Sequence, residues 1–204
     1  MKKSINVAVI YYSMTGNNSQ FARWAAESAR EEGAGVRLLK IDDMRTPDEK
    51  NPAWVAEHER SRDVPAATSD DLVWADAIVF CYATRYGGLA APMKSFIDQQ
   101  GAVWSQGKLV DKVVTGITSA MNPHGGQEMA LLNLYISMAH WGAIPAFPGY
   151  THDAFSEAGG NPYGTSTTVG PGITPGDEAK AAIVQQVKRA IDIAARLKAG
   201  SADR

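Results

Sequence analysis

Residues 5–19 read Ile5-Asn6-Val7-Ala8-Val9-Ile10-Tyr11-Tyr12-Ser13-Met14-Thr15-Gly16-Asn17-Asn18-Ser19, an apolar run that breaks into a polar loop with one glycine. The run is short and nearly continuous in its apolar residues, as expected of a strand covered on both faces. The loop carries the hydroxyls of Ser13, Thr15 and Ser19 and the amides of Asn17 and Asn18, and a helical pattern follows directly. Hydroxyls, amides and backbone N–H groups at a helix N-terminus form an anion site from neutral donors and the helix dipole. The loop lacks the Lys of a nucleotide-hydrolysing GxxxxGK[ST] loop and the repeated Gly of a dinucleotide fingerprint. A monophosphate is the matching ligand; an Asn/Gly turn with a helix cap is the plainer alternative.

Working outward, apolar runs recur at Val36–Ile41, Ala77–Tyr82 and Lys112–Thr118, with a weaker fifth strand at Ala143–Phe147. Helical patterns over Asn18–Glu32, Pro92–Trp104, Gly126–Trp141 and Asp177–Lys198 fall between or after them. Strands alternating with helices predict a parallel sheet with helices on both faces, and right-handed crossovers restrict its order to a few doubly wound topologies. Asp42–Thr68, with three prolines, is read as capping the sheet with a short helix near Ala53–Ser61. Pro148–Thr174, rich in Gly, Pro, Thr and Ser, is read as a long loop insertion in one domain spanning residues 1–204.

The chain has 204 residues, 45% of them apolar, and a net charge of −2 from 20 basic and 22 acidic residues. No Lys or Arg run suggests a nucleic-acid face. No apolar stretch approaches the roughly 18 residues of a membrane span. Met1-Lys2-Lys3-Ser4 leads into a strand and glycine loop, not a cleavage site, so the expectation is a cytoplasmic protein. The single cysteine, Cys81, sits inside an apolar run and reads as buried. The four histidines show no metal-ligand spacing, and no metal site is expected. Asp42-Asp43 and Asp70-Asp71 read as turns or helix starts rather than as a catalytic pair.

Ligands of open parallel sheets bind beyond the carboxyl ends of the strands. Two further loops leave that edge. Ala83-Thr84-Arg85-Tyr86-Gly87-Gly88 offers backbone N–H groups and an aromatic ring to a flat polar ligand, or is a glycine turn before a helix. In that loop Arg85 either meets an anion or pairs with a carboxylate. Ser119-Ala120-Met121-Asn122-Pro123-His124-Gly125-Gly126 permits tight backbone geometry and opens the next helix.

Taken together, these stretches resemble the WrbA family of flavodoxin-like NAD(P)H:quinone oxidoreductases. The matching motifs are Tyr11-Tyr12-Ser13-Met14-Thr15-Gly16, Thr84-Arg85-Tyr86-Gly87, Phe96-Ile97-Asp98-Gln99 with Trp104, His124-Gly125-Gly126-Gln127-Glu128, Ala139-His140-Trp141-Gly142 and Gly159-Gly160-Asn161-Pro162-Tyr163-Gly164. They occur in family order over nearly the whole chain. The resemblance implies a flavodoxin-like α/β fold, a three-layer sandwich around a five-stranded parallel sheet of order 2-1-3-4-5. It implies FMN as cofactor, NADH or NADPH as co-substrate, a quinone as acceptor, and a homotetramer.

On the same resemblance, Ser13, Met14, Thr15, Gly16, Asn17 and Asn18 hold the FMN phosphate. Thr84, Arg85, Tyr86, Gly87 and Gly88 lie along the isoalloxazine, and Ala120, Met121, Asn122, Pro123, His124 and Gly125 border it. His140 falls on a flavin-contacting histidine, with proton delivery to the quinone or simple filling of the pocket as its two readings. Trp104 falls on a substrate-side wall. Thr15 replaces a tyrosine near the nicotinamide, Ala83 replaces a proline, and Ala120–His124 replaces a Ser/Thr/Gly-rich stretch. The implied reaction is two-electron, ping-pong reduction of quinones through flavin N5, with the cofactor carrying the hard chemistry. A flavodoxin-type electron carrier and a flavin-free regulatory protein remain as alternatives. The near balance of charge speaks against the carrier, which docks through acidic surfaces.

Overall fold

In the computed structural model, residues 4–170 and 172–200 are described; Met1–Lys3, at the start of the N-terminal segment read above, lie outside them. The central parallel sheet consists of β1 (Asn6–Tyr11), β2 (Gly35–Lys40), β3 (Ala77–Arg85), β5 (Val113–Ala120) and β6 (Ile144–Pro145), while β4 (Gly88–Leu89) and β7 (Ser166–Thr168) are short additions. Its order is β2-β1-β3-β5-β6. With the two additions left out of the count, this is the expected 2-1-3-4-5.

Each strand places alternate side chains in two separate cores. Ala8, Ile10, Ile78, Phe80 and Val114 face one core. Val7, Val9, Val79, Cys81, Val113 and Ile117 face the other. The first core is covered by α3 (Ser69–Trp74), α4 (Ala91–Asp98) and α6 (Gln127–Trp141), and the second by α1 (Asn17–Glu31) and α8 (Asp177–Gly200). Burial of Cys81 is as expected, and it pushes the thiol far above its usual range. The expected short helix after β2 is α2 (Pro52–Arg60), started by Asn51, whose side chain accepts from the Trp54 N–H. Asp71 is a helix start, its carboxylate closing a capping box with Thr68 and pairing with Arg37 at 2.8 Å.

Two elements depart from the pattern read in the sequence. The helix expected over Pro92–Trp104 is two helices, α4 and α5 (Gly101–Ser105). At the break, the Gln100 side chain donates to the Phe96 carbonyl at 2.6 Å, the acceptor that a continuing helix would give to the Gln100 backbone N–H. The segment 148–174 is not plain loop. It contains α7 (Asp153–Glu157) and β7, and β7 lies parallel to the carboxyl half of β5 at Thr118–Ala120. The fifth strand position is thus shared: β6 pairs with the start of β5 at Val113–Val114, and β7 with its end. Tyr135 donates to the Tyr163 carbonyl at 2.7 Å. Gln186 accepts from Thr165 N and Oγ1 at 2.7 Å and donates to Thr115 Oγ1 and the Gly116 carbonyl. Gly164 comes so close to β5 that a methyl group on it would collide with the Gly116 carbonyl oxygen.

No helix among the described residues is long and apolar enough to cross a membrane.

Candidate functional site

Three loops meet at the carboxyl edge of the sheet. The first runs from Ser13 into α1. Gly16 occupies the helix N-cap with φ 101°, a left-handed conformation that disfavours a side chain. No side chain caps α1, and its first turn carries no acid, so the helix N-terminus presents unscreened N–H dipoles. Ser13 Oγ accepts from the Gly16 N–H at 3.1 Å, and Ser19 Oγ donates to the Gly16 carbonyl at 2.9 Å. These two hydroxyls shape the loop. Thr15 is exposed and Asn17 half-buried.

Asn18 is 3% exposed and ties the three loops together. With its amide oriented to satisfy both ends, it donates to the Tyr82 carbonyl at 3.0 Å and accepts from Ala83 N at 3.3 Å and Ser119 Oγ at 3.0 Å. Its side chain therefore faces the strand ends, and as the second residue of α1 its backbone N–H has no acceptor within the helix. Thr84 and Thr118 share a hydroxyl–hydroxyl bond of 2.9 Å one residue away on the same two strands.

The second loop is a two-residue hairpin. Tyr86 (φ 49°) and Gly87 (φ 74°) both have positive φ between the paired residues Arg85 and Gly88, the geometry of a tight primed turn. An aromatic residue there is strained by about 1 kcal/mol or more, and the Tyr86 ring stands wholly in solvent. Arg85 extends back over the first loop, with Nη2 3.9 Å from Met14 Sδ. No carboxylate pairs with Arg85 among the described residues.

The third loop, Ala120–Gly125, turns through a Gly125 N–H to Asn122 carbonyl bond of 3.0 Å, and Gln127 Nε2 donates to that carbonyl at 2.9 Å. Met121, Asn122, Pro123 and His124 are exposed. It touches the second loop directly: a methyl group on Gly126 would stand 2.7 Å from the Gly87 Cα. Beside the cluster, on the β2 side, a groove of about 850 Å³ is lined by Tyr12, Arg45, Arg85, Tyr86, Leu89 and Pro92. Tyr12 donates to Asp43 at 2.6 Å, and burial with that hydrogen bond pushes its hydroxyl well above the usual phenol range.

Trp104 and His140 stand elsewhere. Trp104 Nε1 donates to the His140 carbonyl at 2.7 Å, so the two are neighbours. The helix that carries His140, α6, runs back from the third loop toward the amino edge of the sheet. His140 ends α6, whose 15 residues start at the third loop and span about 22 Å at 1.5 Å per residue. Within one chain this pair is remote from the three loops. Trp104 is 52% exposed, and Met129 and Ile136 on α6 are exposed as well.

The sequence reading did not bring Arg45 or α2 to the first loop. Arg45 lies over the Trp54 ring at 4.9 Å and reaches Met14 Sδ at 3.9 Å. The Asn51-Pro52 start of α2 is legible locally; where α2 packs is not. No cluster of three or more His, Cys, Asp or Glu side chains able to hold a metal occurs among the described residues.

A doubly wound sheet with three ligand-type loops at its carboxyl edge defines a protein of the flavodoxin class. The structure is similar to that of a WrbA-like flavodoxin from Agrobacterium tumefaciens (TM-score 0.61, 22% identity, 93% of this chain and 98% of that one). It is also similar to a flavodoxin from the domain Archaea (TM-score 0.60, 17% identity, 95% and 99% covered). In sequence it is 44% identical over 200 residues to a Deinococcus radiodurans protein named NAD(P)H dehydrogenase (quinone), covering 97% of this chain and 99% of the relative. A Brucella anthropi protein of the same name is 37% identical over 199 residues, with 95% and 98% covered. Residues 5–154 match the family NADPH-dependent FMN reductase. The chain belongs to that oxidoreductase family and groups with the NAD(P)H dehydrogenase (quinone) proteins, as its motifs led one to expect.

Proposed function

We propose that the protein is an FMN-dependent NAD(P)H:quinone oxidoreductase. The observation that carries this reading is the convergence of three loops from separate strands on one sheet edge, joined by Asn18 and by the Gly87–Gly126 contact. The residues fit the cofactor. The uncapped start of α1, with Ser13 through Asn18, suits a phosphate. Thr84 through Gly88 and Ala120 through Gly125 offer two backbone walls for a flat ring system.

Bound FMN supplies the exchange of two electrons between a nicotinamide nucleotide and a quinone. The chain's own residues bind, orient and exclude water. Ser13 and Ser19 hold the first loop in its anion-binding shape. Tyr86 presents its ring at the rim, and Arg85 supplies a positive charge beside Met14. Thr15, exposed in the first loop, and the groove lined by Arg85 and Tyr86 border the nucleotide. Backbone N–H groups of the second and third loops stabilise negative charge on the reduced ring.

The pair Trp104–His140 gives the reading its quaternary part. Remote from their own loops, and with Ile136 exposed one helical turn before His140, these residues belong to the site of a neighbouring copy in a homotetramer. There Trp104 walls the substrate space and His140 borders the ring. NAD(P)H and quinone then take turns at one face, which makes the kinetics ping-pong. We read residues 1–204 as one domain working in the cytoplasm, where reduced nicotinamide nucleotides are available.

The test is steady-state oxidation of NADH or NADPH by the FMN-loaded protein with benzoquinone. Turnover with parallel double-reciprocal lines supports the reading. A flavin-bound protein without turnover would be an electron carrier, and one that stays colourless with added FMN a flavin-free interaction protein. Sedimentation showing only monomers with FMN present would overturn the shared site.

A further inference from the structure

Helix α2 belongs to the segment that the proposed activity leaves without a role. It packs against the first loop: a methyl group on Gly16 would stand 3.2 Å from Arg60 Nη1 and 3.3 Å from Glu57 Oε2. Glu57 is 2% exposed, and neither of its carboxylate oxygens accepts a hydrogen bond. It pairs with Arg60 at 3.4 Å. The hydroxyl of Tyr11, at the end of β1, is also buried without a partner, and it is pushed up to about 12 by burial first and then by the charge of Glu57.

A buried carboxylate without hydrogen bonds costs stability. Beside an anion-binding loop it would also repel the ligand. Both penalties have a reason if the carboxylate serves to aim a guanidinium. Arg carries five N–H donors in a planar fork, so one edge can meet Glu57 while another meets a second anion. The Arg60 side chain is 56% exposed, which leaves donors open. The loop beside it offers neutral donors alone, whereas a phosphate monoester carries a charge of about −1.5 to −2 at neutral pH.

We infer that Arg60, aimed by the buried Glu57, is the cationic ligand of the cofactor phosphate, and that α2 thereby makes the site selective for FMN over riboflavin. The inference rests on the FMN reading above. It assigns to helix α2 the charge that a Lys supplies in other phosphate loops.

The test is flavin-fluorescence titration of the full chain with FMN and with riboflavin. Arg60→Gln is expected to weaken FMN on the order of 10- to 100-fold, the usual range for a charge-assisted hydrogen bond, and to leave riboflavin unchanged. Arg60→Lys retains part of the FMN preference. Glu57→Gln lowers the preference less than Arg60→Gln does. Salt weakens FMN binding less steeply in Arg60→Gln than in the wild type. Equal FMN affinity in Arg60→Gln and wild type would overturn the inference, as would a parallel fall in FMN and riboflavin, which marks a structural role. Tighter FMN binding by Glu57→Gln would overturn the aiming role. A wild type that does not distinguish FMN from riboflavin would instead sink the phosphate-loop reading itself.

Discussion

The carboxyl edge of the sheet and the Trp104–His140 pair carry motifs of the same family, yet they are built differently. At the edge, Asn18, Thr84, Thr118 and Ser119 are buried and bonded to one another across loops from three strands. At the pair, one hydrogen bond joins the exposed Trp104 side chain to the backbone carbonyl of His140, in the last turn of α6. The first region is complete within a chain. In the quaternary arrangement proposed above, the second joins a site whose loops another copy supplies. A set of motifs in family order therefore identifies a family without showing which residues share a site.

That contrast can be broken most forcefully at Asn18. Asn18→Ala takes away the acceptor of the Ala83 N–H and of the Ser119 hydroxyl, while the Tyr82 carbonyl keeps only the Thr118 hydroxyl at 2.7 Å. On the order of 3 kcal/mol of stability should go, with FMN affinity falling alongside. Urea unfolding and flavin titration read both; an unchanged unfolding midpoint would show that the loops are held together by something else.

Tyr135 tests the adjoining strand. Its hydroxyl accepts from the Gly116 N–H at 3.0 Å and donates to the Tyr163 carbonyl at 2.7 Å. Tyr135→Phe should cost about 2 kcal/mol and raise hydrogen exchange in 161–169 more than in β1. Uniform exchange across the chain would mean that β7 is not anchored there.

Subunit sharing is sharpened by mixing two variants. Thr15→Asp places a negative charge in the exposed first loop and should block FMN. Trp104→Ala should keep FMN and lower quinone kcat/KM by about tenfold, the value of one lost stacking contact. Co-assembled, the two should recover activity beyond the sum of the separate proteins, since one copy brings the loops and the other Trp104. A strictly additive mixture would place Trp104 in its own chain's site.

The smallest expected effect has the opposite sign. Tyr11→Phe removes a buried hydroxyl that has no partner and should stabilise the protein by up to about 1 kcal/mol at neutral pH. Because the folded-state pKa of Tyr11 is raised from 10.0 to about 12, the folded form holds its proton where the unfolded chain has lost it. That contribution is fully present below pH 10 and is lost as pH rises toward 12. Tyr11→Phe should flatten this part of the stability curve; an unchanged slope would assign it to other groups.

Much of the fold was legible in the residues. Continuous apolar runs at β1, β2, β3 and β5 mark strands covered on both faces; β1 and β2 end within one residue of the reading, while β3 runs three residues further, to Arg85, and β5 two further, to Ala120, so that Ala83, Thr84 and Arg85 are strand rather than loop. The break at Gln100 was not legible, because it depends on a side chain competing for a carbonyl. Nor was β7, whose Ser166-Thr167-Thr168 has no apolar signal and becomes a strand by pairing with β5. In the site, the polar loops could be read one by one, since turn chemistry is local. Their connection through Asn18 could not, because a buried amide has the same letter as an exposed one.

Taken alone, the sequence determined the sheet, its edge loops and the family, since period, turn residues and motif order act over short distances along the chain. Tertiary structure alone decided what stands next to what: helix α2 with Glu57 and Arg60 against Gly16, Arg45 and Arg85 over Met14, and Trp104 with His140 away from the loops. Those neighbours are set by packing between elements tens of residues apart, where burial, charge pairing and the direction of each helix are resolved together.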